Sequence, residues 1–161
     1  MEYMILPTTL QYYRKKVNNM QQTYKVIIAG TRTFNNYNVL KKYLDHQLKN
    51  KATAYNICII SGCATGPDQL GIRYAIEKGY QVLKYPADWN KYGLAAGPIR
   101  NTQMINNADA VIVFWDGKSR GTQDTITKAK LNKIPTIVNH YRQTSNGYEV
   151  HATMYKPNNR G

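Results

Sequence analysis

The chain has 161 residues, enough for one domain with its own hydrophobic core. We expect no membrane-spanning helix, which needs about 20 consecutive apolar residues. We also expect no signal peptide, because the N-terminus lacks a basic region and a long apolar one. The net charge is +13, since 22 basic residues are set against 9 acidic ones. This balance predicts either a surface with few carboxylates or an anionic partner, and it leaves nucleotides, nucleic acids and acidic proteins open. A cytoplasmic protein is expected because the two cysteines suit free thiols in a reducing compartment.

Residues 1–23 are predicted to form a helical appendage before the main domain. Apolar residues recur at helical spacing from Leu10 to Met20, after threonines that suit a helix N-terminus. Such a stripe favours docking on the body of the protein or on a second subunit. The alternative is a nucleic-acid-binding arm, because the basic run at 14–16 follows two tyrosines.

Short apolar runs rich in β-branched residues alternate with helix-like segments in residues 24–141. Strands are expected at 25–29, 57–60, 81–85, 110–115 and 134–138. Helices are expected at 37–49, 69–78, 98–106 and 123–131, with an irregular loop at 87–97. This alternation is typical of the α/β class and predicts a Rossmann-like, doubly wound parallel sheet of about five strands with helices on both faces. Residues 142–161 are expected to form a C-terminal hairpin and tail, because Asn146-Gly147 is a strong hairpin signal.

Glycine-containing turns follow three of the predicted strands. Gly30-Thr31-Arg32 follows the first, the segment 61–68 (SGCATGPD) follows the second, and Gly121-Thr122 lies in the turn after the fourth. Because the carboxyl ends of parallel strands meet at one edge of a sheet, these turns are expected to come together there. Glycine lets the backbone approach a ligand, and the helices that follow point N–H groups at it. The pattern therefore predicts a site for an anion, with phosphate as its natural occupant.

Further motifs accompany these turns. They are 86–89 (PADW), 92–93 (YG), 96–101 (AGPIRN) with Met104, and 108–110 (ADA) at the start of the fourth strand. In this order and spacing, residues from about 25 to 140 resemble the SLOG superfamily of Rossmann-like proteins, which is related to the Lonely Guy and DprA-like proteins. The chain is most similar to the YspA-like branch of that superfamily.

The resemblance implies a nucleotide or nucleotide-derived ligand, such as a nucleoside phosphate or an ADP-ribose-type signal, bound by a sensor or sequestering module. Arg32 and Arg100 would neutralise phosphate charge, and Asp68 would bind a ribose hydroxyl or orient a loop. Trp89 or Tyr92 would stack on a base, although Trp89 is equally expected as a core anchor. The candidate ligand-binding residues are Gly30, Thr31, Arg32, Gly62, Cys63, Ala64, Thr65, Gly66, Asp68, Asp88, Trp89, Arg100, Asn101, Gly121 and Thr122.

Two alternatives stay open. Lonely Guy relatives are phosphoribohydrolases that cleave the N-glycosidic bond of a nucleoside monophosphate, and Arg100 matches their arginine. Their motif has a glutamate where Thr125 stands here, and Asp124 comes one residue earlier. If the protein is an enzyme, Arg100 and Asp124 are the candidate catalytic residues, although one residue turns a helical side chain by about 100°. Asp116 or Asp68 is the alternative source of the carboxylate. DprA-like relatives bind single-stranded DNA, which the positive charge also favours.

Other expectations concern oligomers, metals and thiols. Relatives of this kind often pair through their helices, so we expect a homo-oligomer. The histidines are scattered and give no metal-ligand spacing, so we expect neither a metal nor a cofactor. Cys58 and Cys63 are expected to be free thiols. The abundance of Asn, Lys and Tyr is typical of an AT-rich genome, such as that of a phage or a low-GC bacterium.

Overall fold

The computed structural model describes residues 21–158, and six strands of this region form one sheet. The first five of these strands pair in parallel, and the sixth pairs with the fifth in the antiparallel direction. The predicted parallel α/β architecture is thus confirmed. The strands are β1 (Thr23–Gly30), β2 (Asn56–Ser61), β3 (Gln81–Lys84), β4 (Ala110–Trp115), β5 (Thr136–Thr144) and β6 (Gly147–Tyr155).

Helices cover both faces of the sheet. They are α1 (Tyr37–Ala54), α2 (Pro67–Lys78), α3 (Trp89–Tyr92), α4 (Ala96–Asn106) and α5 (Arg120–Leu131). Helices α1 and α2 pack on one face, and α4 and α5 pack on the other. In the described part of the chain, no helix combines the length and the apolar character that crossing a membrane requires.

Strand β1 lies in the middle of this core. Val26 and Ile28 face the side chains of α1 and α2, whereas Ile27 faces those of α4 and α5, and all three are fully buried. A strand covered on both sides gains from apolar residues at every position, because successive side chains point to opposite faces. This explains why the sequence of β1 is a continuous apolar run without alternation.

The strand order is β3-β2-β1-β4-β5-β6. From β1 to β3 the strands are added on one side of β1, and from β4 onward they are added on the other side. The chain leaves β1 for a helix on one face and leaves β4 for a helix on the other, so a crevice opens between the two loops. The Thr31 N–H donates to the Phe114 carbonyl oxygen at 2.9 Å and closes the floor of this crevice. The topology therefore brings the three predicted glycine turns to the same edge.

The structure corrects three predictions about elements. A sixth strand pairs with β5 along its whole length, so β5 continues to Thr144 rather than ending at 138. The segment expected as an irregular loop contains α3 and a 3₁₀ turn at Gly93–Ala95, because the Asp88 carboxylate accepts a hydrogen bond from the Lys91 N–H at 3.1 Å. Helix α4 then begins two residues before the expected start. The predicted N-terminal helix lies outside the described residues.

Candidate functional site

A cavity of about 390 Å³ lies at the carboxyl edge of the sheet, where β1 and β4 part. The loop after β1, the loop after β4 and the first turn of α5 form one side of it, and the start of α2 and the buried face of α4 form the other. Its position is the one at which ligands bind in open α/β sheets. The lining residues are Ala29, Gly30, Thr31, Arg32, Thr33, Ala64, Asp68, Arg100, Asn101, Met104, Asp116, Ser119, Gly121, Thr122 and Thr125.

Arg100 is the buried cation of this cavity, with only 8% of its surface exposed. Its Nη1 donates to the Gly62 carbonyl oxygen at 2.6 Å, and its Nε donates to Asn101 Oδ1 at 2.9 Å. Burial lowers the pKa of Arg100 from its usual value, Asp68 raises it, and Arg32 lowers it further. An arginine remains charged under such influences. The guanidinium is therefore held in one orientation at the cavity wall.

Asp68 occupies the N-terminus of α2 and is 95% buried, with 5% of its surface exposed. Its Oδ2 accepts a hydrogen bond from the Ala64 N–H at 3.2 Å. Burial raises the pKa of Asp68 to about 6, although the Ala64 N–H and the charges of Arg100 and Arg32 act in the opposite direction. A carboxylate of the chain itself thus lies where the glycine turn after β2 was predicted to hold a phosphate.

Asp116 likewise accepts hydrogen bonds from backbone N–H groups, in this case those of the turn after β4. Its Oδ1 accepts hydrogen bonds from the N–H groups of Lys118 at 2.8 Å and Ser119 at 2.9 Å, and from Thr31 Oγ1 at 3.2 Å. Burial alone would raise the pKa of Asp116, but the hydrogen bonds from Ser119 and Lys118 outweigh it and lower the pKa. The backbone of this turn is therefore already bound to an anionic group.

The N-terminus of α5 remains open to the cavity. A helix leaves the N–H groups of its first turn without intrahelical partners, and no side chain caps α5. Ser119 Oγ and Thr122 Oγ1 lie 3.2 Å apart beside it. A Cβ added to Gly121 would find no atom within 4 Å, so this position has room for a side chain.

A second cavity of about 340 Å³ adjoins the first and shares Arg32, Ala64 and Arg100 with it. Trp89 forms part of its wall and is 47% exposed, so it does not serve as a core anchor. The Arg32 guanidinium carbon lies 5.9 Å from the centre of the Trp89 ring, within the range of a cation–π contact. The lining residues are Arg32, Gly62, Cys63, Ala64, Thr65, Pro86, Ala87, Trp89 and Arg100.

The structure places most of the predicted site residues in one of these two cavities, but three lie elsewhere. Asp88 caps α3, and Asp124 Oδ2 lies 2.9 Å from Lys128 Nζ and accepts a hydrogen bond from Asn101 Nδ2 at 3.0 Å. Gly66 lines neither cavity. Its φ is +85°, and a Cβ there would lie 2.7 Å from the Thr31 carbonyl oxygen, so this glycine allows the loops after β1 and β2 to approach each other.

Several lining residues were missed by the site prediction. Ser119 had a recognisable signal, because it is a helix-capping residue type immediately before α5. Asp116, which directly follows a buried strand, was expected only as a possible substitute for the missing glutamate. Thr125 lines the first cavity, and its hydroxyl donates to the Gly121 carbonyl oxygen at 3.3 Å. Met104 belongs to the motif that begins at residue 96 but was not among the candidate ligand-binding residues, and Thr33 carried no signal.

A larger and mostly apolar cavity of about 470 Å³ lies at the opposite edge of the sheet, where β1, β4 and β5 begin. None of the predicted site residues lines it. Its wall contains no arginine and no carboxylate, and its charged side chains are Lys51 and Lys156. The charged and hydrogen-bonding groups of the predicted site therefore belong to the carboxyl edge.

Residues 24–92 match the profile of YAcAr, described as the YspA, cpYpsA-related SLOG family. Over these residues the chain is similar to the SLOG superfamily. The matched part of the chain runs from β1 through α3 and includes the glycine turns after β1 and β2. The chain is also similar to the Gene 61 protein of Mycobacterium phage D29, with 29% identity over 119 residues that make up 70% of this chain and 94% of that protein.

Two solved structures share the fold of this chain. TM1055, a target of the Northeast Structural Genomics Consortium, is 20% identical with a TM-score of 0.51, and the match covers 70% of this chain and 72% of TM1055. DNA processing protein A from Helicobacter pylori, described by its single-stranded DNA binding mode, is 21% identical with a TM-score of 0.53. That match covers 83% of this chain and 71% of the Helicobacter chain. Both similarities concern the fold.

Proposed function

We propose that this protein binds a nucleotide or a nucleotide-derived ligand, such as an ADP-ribose-type signal, as a sensing or sequestering module in the cytoplasm. The observation that carries the proposal is the 390 Å³ cavity, which a buried arginine and the open N-terminus of α5 face together. We assign the function to residues 24–141. The free thiols of Cys58 and Cys63 accord with a reducing compartment.

We choose the position of the phosphate by comparing the backbone N–H groups of the three turns. Asp68 and Asp116 already accept hydrogen bonds from the turns after β2 and β4. The first turn of α5 has no side-chain cap, and it combines N–H groups with the hydroxyls of Ser119 and Thr122. Because a helix N-terminus attracts anions, we place a phosphate there, with Arg100 as its counter-charge.

The remaining groups suit a ribose. Asp68 offers a carboxylate oxygen, and Asn101 offers an amide that also contacts Asp124. Sugar hydroxyls donate and accept hydrogen bonds, so a wall with both kinds of partner can orient them. The apolar side chain of Met104 lines the same cavity and provides contact for the sugar or base.

The hydrolase alternative depends on a carboxylate that reaches the sugar. An N-glycosidase stabilises an oxocarbenium-like transition state and positions a water molecule, and a carboxylate performs both tasks. Asp124 is bound to Lys128 and does not line the cavity, whereas Thr125 does. Asp68 and Asp116 do line it, and they are the carboxylates that an enzyme of this kind would use. The position of Asp124 favours binding without turnover.

Single-stranded DNA binding is a second candidate, and exposed aromatic residues favour it. Trp89 and Tyr92 are 47% and 40% exposed, with Arg32 beside the first and Lys91 beside the second. Stacking on such side chains beside cations is how many proteins hold single strands. Fluorescence anisotropy with a labelled oligothymidylate tests it, because affinity should fall steeply between about 50 and 200 mM salt. Salt-independent or absent binding would remove this candidate.

The central experiment is a thermal-shift screen with AMP, ADP, ATP, NAD⁺ and ADP-ribose, followed by product analysis of each compound that shifts the melting temperature. A ligand at a hundred times its Kd should stabilise the protein by about 2.7 kcal/mol. Stabilisation without product supports a binding module, and stabilisation with a released base supports the hydrolase. If no nucleotide stabilises the protein, the proposed function is wrong.

A variant at Gly121 locates the phosphate. Gly121→Glu adds a carboxylate at the α5 N-terminus, where it is favourable for the helix but competes with a bound phosphate. We expect unchanged or higher thermal stability and at least a tenfold loss of affinity. Gly121→Ala is the matched control, since a Cβ there meets no atom within 4 Å. Unchanged nucleotide affinity in Gly121→Glu would contradict this placement.

Homo-oligomer formation is part of the proposal. Leu94 is 94% exposed, and Leu83 on the edge strand β3 is also exposed. Apolar side chains in such positions accord with a protein–protein contact. Light scattering at micromolar concentration measures the oligomeric state.

A further inference from the structure

On the basis of the proposed function, we infer that the ligand is a dinucleotide-like molecule whose two ring-bearing halves occupy both cavities, with its phosphates between them. The two cavities have volumes of about 390 and 340 Å³ and share Arg32, Ala64 and Arg100. The residues they share thus include two cations. A mononucleotide would fill the first cavity and leave the second one empty.

The shared wall suits phosphates in the middle of a ligand. Arg100 is fixed by its hydrogen bonds to Gly62 and Asn101, and Arg32 lies at the surface beside Trp89. The N-terminus of α5 adds a third positively polarised group on the side of the first cavity. Two neighbouring phosphates can therefore each be compensated, one by the helix and one by the arginines.

The second cavity has the composition of a pocket for a flat heterocycle. Pro86, Ala87 and the exposed part of Trp89 supply apolar surface, and Cys63 and Thr65 complete the opposite wall. None of its lining residues, all of them within the described part of the chain, is acidic. Of these two cavities, Asp68 and Asp116 line the first and not the second. An uncharged aromatic base attached to a phosphate fits this arrangement, because the base stacks and the phosphate reaches the arginines.

Calorimetric titration with AMP and with diadenosine 5′,5′-diphosphate tests the inference. We expect the wild-type protein to bind the dinucleotide about 5- to 150-fold more tightly than AMP, which is the range that stacking of one base provides. Trp89→Ala should bring the affinity for the dinucleotide down to that for AMP and leave AMP binding unchanged. Retained AMP binding also shows that the variant is folded, and Trp89→Phe should restore most of the difference.

Tyr92→Ala is the matched control. Tyr92 belongs to the same short helix as Trp89 and is similarly exposed, but it lines neither cavity. Both affinities should stay as in the wild type. Equal affinities of the wild type for AMP and the dinucleotide would overturn the inference, and so would an equal loss of both in Trp89→Ala. In either case the proposed function would stand, whereas failure of both compounds to bind would refute it.

Discussion

Replacing Asp68 by asparagine tests the electrostatics of the site. The pKa of this carboxyl group is 3.8 when it is free, and burial raises the pKa to about 6 in the folded protein, where Asp68 is 95% buried. Asparagine keeps an oxygen that can accept the hydrogen bond from Ala64, but it has no charge at any pH. The substitution therefore removes the titration and leaves the shape of the loop almost unchanged.

The magnitude follows from the two titration points. A difference of about two pH units, at 1.36 kcal/mol per unit, makes the ionised carboxylate destabilise the folded state by about 3 kcal/mol. Because the pKa is higher in the folded protein, the protonated carboxyl group stabilises the fold. This contribution is fully present below about pH 4 and is lost as the pH rises through about 6. Relative to Asp68→Asn, the wild type should lose about 2–3 kcal/mol between pH 4 and pH 7.5.

Urea unfolding of both proteins at several pH values from 4 to 7.5 measures this effect. The comparison between the two proteins cancels the titration of all other groups, including the other carboxylates. Arg100 loses a charged neighbour in the variant, but it loses the same charge in the wild type when Asp68 is protonated. A stability difference that stays constant from pH 4 to pH 7.5 would refute the reasoning.

Two further substitutions test Gly62, which lies against Arg100, and Asp124, which does not line the cavity. Gly62→Ala should weaken nucleotide binding at least tenfold, because its Cβ would lie 2.6 Å from Arg100 Nη1 and 2.8 Å from Asp68 Oδ2. Calorimetry measures the loss, and an unchanged affinity would show that the position of Arg100 is unimportant. Asp124→Asn should lower stability by less than about 1 kcal/mol, because it removes the charge of a partly exposed pair with Lys128 and keeps an amide oxygen that can accept the hydrogen bond from Asn101. Loss of turnover with intact binding in this variant would instead assign Asp124 to catalysis.

Local sequence signals were sufficient where burial alone determines a strand. The bounds of β4 agree with the predicted ones, because its residues are apolar throughout and the strand is covered on both faces. The end of β5 was placed too early, since most of its residues beyond 138 are polar and all of them pair with β6, although Asn139 and Tyr141 are also buried. The helix α3 was missed because a single turn depends on its cap at Asp88.

In the candidate site, too, some features could be predicted from local sequence and others could not. Gly30, Gly62 and Gly121 were recognisable because glycine turns after parallel strands meet at one edge, and the strand order confirms that they do. The neighbours of Arg100, by contrast, include Arg32 and Gly62, which belong to two loops distant from it in sequence. Whether Asp124 or Thr125 faces the cavity depended on the rotation of α5 against the sheet, which no local pattern specifies.

The sequence by itself determined the α/β class, the edge at which a ligand would bind and most of the residues around it, because these follow from hydrophobic periodicity and from where turns occur. Only the tertiary structure decided which backbone groups are free for an anion. Asp68 and Asp116 fold back onto the turns after β2 and β4, and α5 is left without a cap. Hydrogen-bond donors are used by whichever acceptor lies closest in space, and that distance is set by packing between elements rather than by order along the chain.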